Sequence, residues 1–205
     1  MYIARKNHAP SPEAAIEFIK KYGFATLICS HGSGMQAVHI PIEAVQDGQT
    51  LTLTGHVSIA NPICDFINNQ SEALVIFSEP HAYISSSWYD HVNVPTWNYI
   101  AIHASGQLLK TNGKKLLEDI KSMVNHYEDG RKDRYHLSDM PDDMLQAHLN
   151  GLMGFQLEVN KLEANYKLSQ NRNDKNYNNI IEKLLQSDNM LDREIAKEMR
   201  ILRPE

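Results

Sequence analysis

The first periodic stretch of the chain is helical. Ala14, Ala15, Phe18, Ile19 and Tyr22 fall on one face, Ser11-Pro12-Glu13 supplies an N-cap followed by proline, and Gly23 stops the pattern. The period then shortens. Phe24 to Ser30 reads as a strand, His31-Gly32-Ser33-Gly34 as a hairpin turn, and Met35 to Val45 as a second strand carrying Pro41. Asp47-Gly48 turns the chain into Leu51-Thr52-Leu53-Thr54, whose alternation predicts one buried and one wet face. Asn61-Pro62 opens a short helix through Ile63, Phe66 and Ile67. Ala73 to Phe77, His81 to Ser87 and Trp97 to Gly106 read as further strands, with Glu79-Pro80 between the first two. Leu116, Leu117, Ile120, Met123, Val124 and Tyr127 mark an amphipathic helix, and a short one surrounds Met144 to His148. Gly154 to Asn160 alternates as a strand, and two helices follow from about residue 173, one through Tyr177, Ile180, Ile181 and Leu184, the other through Leu191, Ile195 and Met199.

Short turns join most of these strands, and regular crossover helices are missing. A parallel sheet is therefore disfavoured, and the expected fold class is mainly β with flanking helices: a closed antiparallel barrel followed by a helical C-terminal region. With 205 residues and 42% hydrophobic positions the chain suffices for one ordinary domain, and no repeat or linker composition marks a boundary. No signal-like run opens the sequence and no stretch approaches the ~20 apolar residues of a membrane helix, so a cytoplasmic protein is expected. Cys29 and Cys64 stand apart without ligand-like spacing and read as buried thiols, with no metal site. The net charge of −5 gives no general attraction to nucleic acid. On the last two helices Lys183, Arg193, Lys197, Arg200 and Arg203 interleave with Glu182, Asp188, Asp192, Glu194 and Glu198, a salt-bridge pattern that does not support direct DNA binding.

Three segments carry unusual chemistry. Ser85-Ser86-Ser87-Trp88-Tyr89, followed by Thr96-Trp97-Asn98, joins small hydroxyl groups to aromatic planes able to cover a ring. Composition alone fits equally a β-arch whose serines satisfy turn backbone. Lys167-Leu168-Ser169-Gln170-Asn171-Arg172 sets two cations around polar side chains just before a helix N-terminus, which suits a phosphate clamp or a solvated loop. His56 stands at a strand end before a capped helix, where it can meet a ligand or a neighbouring carbonyl, whereas His39 and His103 read as structural histidines. Gly32-Ser33-Gly34 lacks the GxSxG frame of a serine hydrolase, and HExxH, GxGxxG and P-loop patterns are absent from the sequence.

GHVSIANP, HAYISSSWY, VPTWNY followed by IHASG, and KLSQNR occur in this order, and in them the chain resembles the PaiB-type FMN-binding family of bacterial transcriptional regulators over nearly its whole length. The resemblance implies a single FMN-binding split-barrel domain over 1–205, similar to pyridoxamine-phosphate oxidase-like flavoproteins and usually homodimeric. It implies negative regulation of transcription touching protease synthesis and sporulation. It also implies that His56, Ser85, Ser86, Ser87, Trp88, Tyr89, Thr96, Trp97, Asn98, Lys167, Gln170, Asn171 and Arg172 lie near the flavin. The hydroxyls with Lys167 or Arg172 would then receive the phosphate, and Trp97 or Trp88 would cover the ring. The family often carries a basic residue where this chain reads Ser58-Ile59, a departure that bears on one possible phosphate contact.

Three functions follow from this. An FMN-binding regulator acting through a protein partner comes first. An FMN-dependent oxidoreductase comes second, because the cofactor itself carries redox chemistry. Haem binding comes third, since the chain has ten histidines and haem needs an axial ligand.

Overall fold

The computed structural model describes residues 1–32 and 34–203; the hairpin residue Ser33 lies outside them. Helix α1 (Pro12–Lys21) starts where the sequence places it: the Ser11 hydroxyl accepts from the Ala14 N–H at 3.2 Å, and Ala15, Ile16, Phe18 and Ile19 are buried. The strands are β1 (Phe24–His31), β2 (Gly34–Pro41), β3 (Glu43–Asp47), β4 (Thr50–Ser58), β5 (Glu72–Phe77), β6 (His81–Ile84), β7 (Thr96–Thr111) and β8 (Leu152–Lys167). The helices are α2 (Ile63–Asn68), α3 (Gly113–Glu128), α4 (Asp142–Asn150), α5 (Asp174–Leu185) and α6 (Met190–Leu202). The strand order is β2-β1-β5-β7-β8-β4-β3, with β6 paired to β7. The β1–β2, β3–β4, β4–β8 and β6–β7 ladders are antiparallel, as expected.

Four sequence-based expectations are corrected. The strand expected from Met35 to Val45 is two strands, because Pro41 ends the pairing with Phe24, the Ile42 N–H turns to the Gly23 carbonyl at 2.8 Å, and Glu43 starts a new ladder opposite Thr54. Thr54, expected on the wet face, is only 2% exposed. The strand expected from His81 to Ser87 stops at Ile84, since the Ser85 hydroxyl accepts from the Ser87 N–H at 3.2 Å and winds Ser86–Trp88 into a 3₁₀ helix. The last two strands are longer than their alternation suggests, reaching Thr111 and Lys167.

The chain divides into two compact units, one made of Met1–Tyr22, Ile76–His103 and the chain from Glu163 onward, the other of Gly23–Val75 and Ala104–Leu162. In the second unit, β2 lies against β4, so the sheet curls back on itself. Its core holds Leu27, Leu53, Ile42 and Phe155, all under 3% exposed, and the fully buried Cys29. Each such aliphatic side chain contributes about 1.5–3 kcal/mol of burial free energy. Gly106 of β7 permits close strand approach: a Cβ there would overlap the Glu158 carbonyl oxygen and stand 2.9 Å from Leu157 Cδ2. In the first unit α5 and α6 pack through Tyr177, Ile180, Leu184, Ile195 and Met199, and the Tyr177 hydroxyl donates to the Met199 carbonyl at 2.7 Å. No helix among the described residues is long and apolar enough to cross a membrane.

Candidate functional site

Alternation along β7 places Thr96 and Asn98 on one face and Trp97 on the other. Lys167 closes β8, and its ammonium donates to Thr96 Oγ1 at 2.8 Å. The chain after it folds into a tight turn rather than a loose loop. Ser169 takes a left-handed φ of 62°, its hydroxyl donates to Asn98 Oδ1 at 3.0 Å, and the Arg172 N–H donates to the Ser169 carbonyl at 3.0 Å. Gln170 accepts from the Leu168 N–H at 2.8 Å and donates to the Tyr166 carbonyl. Asn173 then caps α5 by accepting from the Asn176 N–H at 2.9 Å. A non-glycine residue at positive φ costs roughly 1–2 kcal/mol, here offset by a side-chain bond to a wholly buried asparagine.

The result is a cleft of about 160 Å³ in the first unit, lined by Lys6, Asn7, Val94, Thr96, Asn98, Lys167, Ser169, Gln170, Asn171 and Arg172. Three of these are cations and none is a carboxylate. Burial lowers the Lys167 pKa, and the neighbouring Lys6 lowers it further. The Arg172 guanidinium stacks on the Tyr89 ring at 4.7 Å, and its Nε is buried without a hydrogen-bond partner. A buried donor facing no acceptor is costly, so the site suits an anion with several acceptor oxygens. The volume admits one end of a flavin nucleotide, since whole-ligand pockets run to ~300–1,000 Å³.

Of the residues expected near a flavin, Thr96, Asn98, Lys167, Gln170, Asn171 and Arg172 meet in this cleft. Tyr89 joins through Arg172 and also lines a neighbouring cleft with Asp90, Lys175 and Asn176. Hydrogen bonds from His91 and Asn176 and an ion pair with Lys175 hold the Asp90 carboxyl far below its ordinary range. Ser85, Ser86, Ser87, Trp88 and Trp97 do not line the cation-rich cleft. Ser85 Oγ and Ser87 Oγ bond each other at 2.8 Å, and the Trp88 carbonyl accepts from Asn179 at 2.5 Å. Trp97 packs edge-on to Tyr83, its cross-strand partner, and stays 51% exposed. His56 belongs to the second unit, on β4 opposite Gly154, where burial lowers its pKa and Asp119 partly opposes the shift. A larger cavity, about 550 Å³ beside the start of α3, contains none of the expected residues.

Sequence reasoning missed Lys6, Asn7, Val94 and Ser169. Lys6 and Asn7 precede the first periodic segment, and the backbone bridge His8–Asn165, a contact with no local signature, ties that segment to β8. Cys29 and Cys64 are buried free thiols, as expected. Among the described residues no cluster of His, Cys, Asp or Glu is arranged to hold a metal.

Residues 1–161 match the family model described as "Putative FMN-binding domain". The chain is 34% identical over 199 residues to the Bacillus subtilis "Protease synthase and sporulation protein PAI 2", covering 97% of this chain and 96% of that protein. An uncharacterized protein of Saccharomyces cerevisiae is 27% identical over 106 residues, covering 48% of this chain and 63% of the yeast protein. Among solved structures, the FAD and heme binding protein from Mycobacterium smegmatis superposes with a TM-score of 0.60 at 13% identity, covering 78% of this chain and 72% of that one. The flavocytochrome Anf3 from Azotobacter vinelandii gives 0.56 at 12% identity, covering 83% and 74%. These two share the fold, in agreement with the split barrel expected from the sequence. With the family model matching residues 1–161 and 34% identity to the Bacillus protein over 97% of its length, the chain belongs to the PaiB-type FMN-binding family and takes FMN as its cofactor.

Proposed function

We propose that the protein is a cytoplasmic, homodimeric FMN-binding regulator of the PaiB type, which lowers transcription through a protein partner rather than by reading DNA itself. The observation that carries the cofactor placement is the carboxylate-free cleft in which the buried Arg172 Nε lacks an acceptor. In this reading Lys167 and Arg172 hold the FMN phosphate. Thr96 fixes the Lys167 ammonium, and Asn98 fixes the turn that carries Arg172. Trp97 or Trp88 covers the ring, and the Ser85–Ser87 hydroxyls complete the wall. Bound FMN supplies one- and two-electron redox chemistry, while the protein sets binding, orientation and water access.

The regulatory part of the reading rests on the family resemblance, and the Bacillus relative's name speaks of protease synthase and sporulation. Basic groups on the C-terminal helices are already engaged: Lys197 with Glu194 at 2.5 Å, Arg193 with the Ser187 carbonyl at 2.5 Å, and Arg203 with Asp174. Glu182, Asp188, Asp192, Glu194 and Glu198, interleaved with the basic groups of this region, offset the positive charge that a phosphate backbone would meet. Dimerisation is supported by exposed apolar side chains, the Tyr83–Trp97 pair and, in the loop before β7, Val92 and Val94, which are 102% and 71% exposed.

The test is a visible spectrum of the purified protein before and after adding FMN, with the mass measured by light scattering. An oxidised-flavin spectrum, saturable uptake and a dimer mass are expected. A folded protein that takes up no FMN, or takes up haem instead, overturns the cofactor placement. A monomer holding FMN overturns the dimer alone.

A further inference from the structure

We propose that the amino-terminal segment is part of the ligand site: Lys6 and Asn7 close the cleft on a phosphate monoester, Lys6 as a phosphate ligand and Asn7 as the acceptor for a hydroxyl of the ester's alcohol part. The inference rests on reading the cleft as the place of the FMN phosphate.

Three observations converge on it. First, the segment is positioned. The 3₁₀ helix Arg5–Asn7 is followed by the backbone bridge His8–Asn165, and Asn165 lies on β8 two residues before Lys167. Second, the cleft's unpartnered groups are complementary. Asn7 is 6% exposed, and its Oδ1 is a buried acceptor without a donor; Arg172 Nε is a buried donor without an acceptor. A fully deprotonated oxyanion such as sulfate, which has no hydrogen to donate, satisfies only the arginine, whereas a phosphate monoester of a polyol satisfies both groups. Third, Lys6 and Lys167 are close enough for Lys6 to depress the Lys167 pKa, and no lining carboxylate separates them. A group carrying about −1.5 to −2 charges near neutral pH relieves that repulsion.

This arrangement selects a terminal phosphate over a flavin without one, and over a dinucleotide whose phosphate is esterified on both sides. The experiment titrates wild type and Lys6→Met with FMN and with riboflavin by flavin-fluorescence quenching. Lys6→Met is expected to weaken FMN binding about tenfold and leave riboflavin unchanged, with Lys6→Arg restoring most of the loss. Lys6 is exposed, so its loss leaves the core intact. Equal FMN affinity in wild type and Lys6→Met overturns the inference. So does a wild type that binds FMN and riboflavin equally, although flavin binding then stands. If wild type takes up no flavin, the FMN reading of the cleft falls, and calorimetry with glycerol 3-phosphate decides the inference: Lys6-dependent binding sustains it, and absent or Lys6-independent binding overturns it.

Discussion

In the proposed site, Arg172 joins stability to recognition. Its guanidinium lies on the Tyr89 ring at 4.7 Å while its backbone N–H closes the Ser169 turn, so the planar group is held before a ligand arrives. Arg172→Lys keeps the charge and loses the fork. FMN affinity is expected to fall about tenfold, with riboflavin affinity unchanged, in a fluorescence titration. His56 makes a different prediction. Burial holds its folded-state pKa below the ordinary 6.5, so the unfolded chain takes up the proton first. Its stabilising contribution is present above pH 6.5 and is lost as pH falls through the folded pKa. His103 shifts in the same direction, chiefly by burial. Urea-unfolding curves at stepped pH should therefore show stability decreasing below 6.5, and His56→Gln should make that decrease shallower while leaving the His103 part.

Among the elements, capping chemistry is the most legible signal. Ser11 and Asn173 bond the backbone N–H groups their positions imply, and the Asn61 side chain accepts from the Ile63 N–H at 3.1 Å. Strand limits are less legible because pairing over a distance sets them. Nothing in Gln107 to Thr111 alternates more clearly than the preceding residues, yet the strand continues because a neighbour is present. Gly106 makes that neighbour's approach testable. Gly106→Ala drives a methyl against Leu157 Cδ2 and into the Glu158 carbonyl, a backbone group that yields only if the strand shifts. A loss of about 2 kcal/mol or more in urea unfolding is expected, and an unchanged midpoint would show that β7 and β8 are not this close.

Taken as a whole molecule, a protein with net charge −5 concentrates three cations in one small cleft, so in the proposed reading local composition and not the total governs ligand choice. The exposed aromatic pair on β6 and β7 gives the proposed dimer its test. Trp97→Glu places a charge where Tyr83 and Trp97 now present half-exposed rings, and a shift from dimer to monomer in light scattering is expected. A variant that remains dimeric moves the interface elsewhere and leaves the flavin reading untouched.

The class of fold, the caps, the family and the cofactor the family takes are all legible along the chain, because each is written in residues close together: period-two alternation, Ser or Asn before a helix, and the runs YISSSWY, VPTWNY and KLSQNR. Folding alone settles which of those residues share a cleft. Lys167 and Thr96 are far apart in the chain yet bonded, and Lys6 and Asn7 belong to a segment that Met1, Tyr2 and His8 tie to β8 at Glu163 and Asn165. Folding also sets Ser85 and Ser87 against each other in a turn, apart from that cleft. Propensity and capping act within a few residues, whereas a binding site depends on strand register and long-range contacts, which neither periodicity nor composition encodes locally.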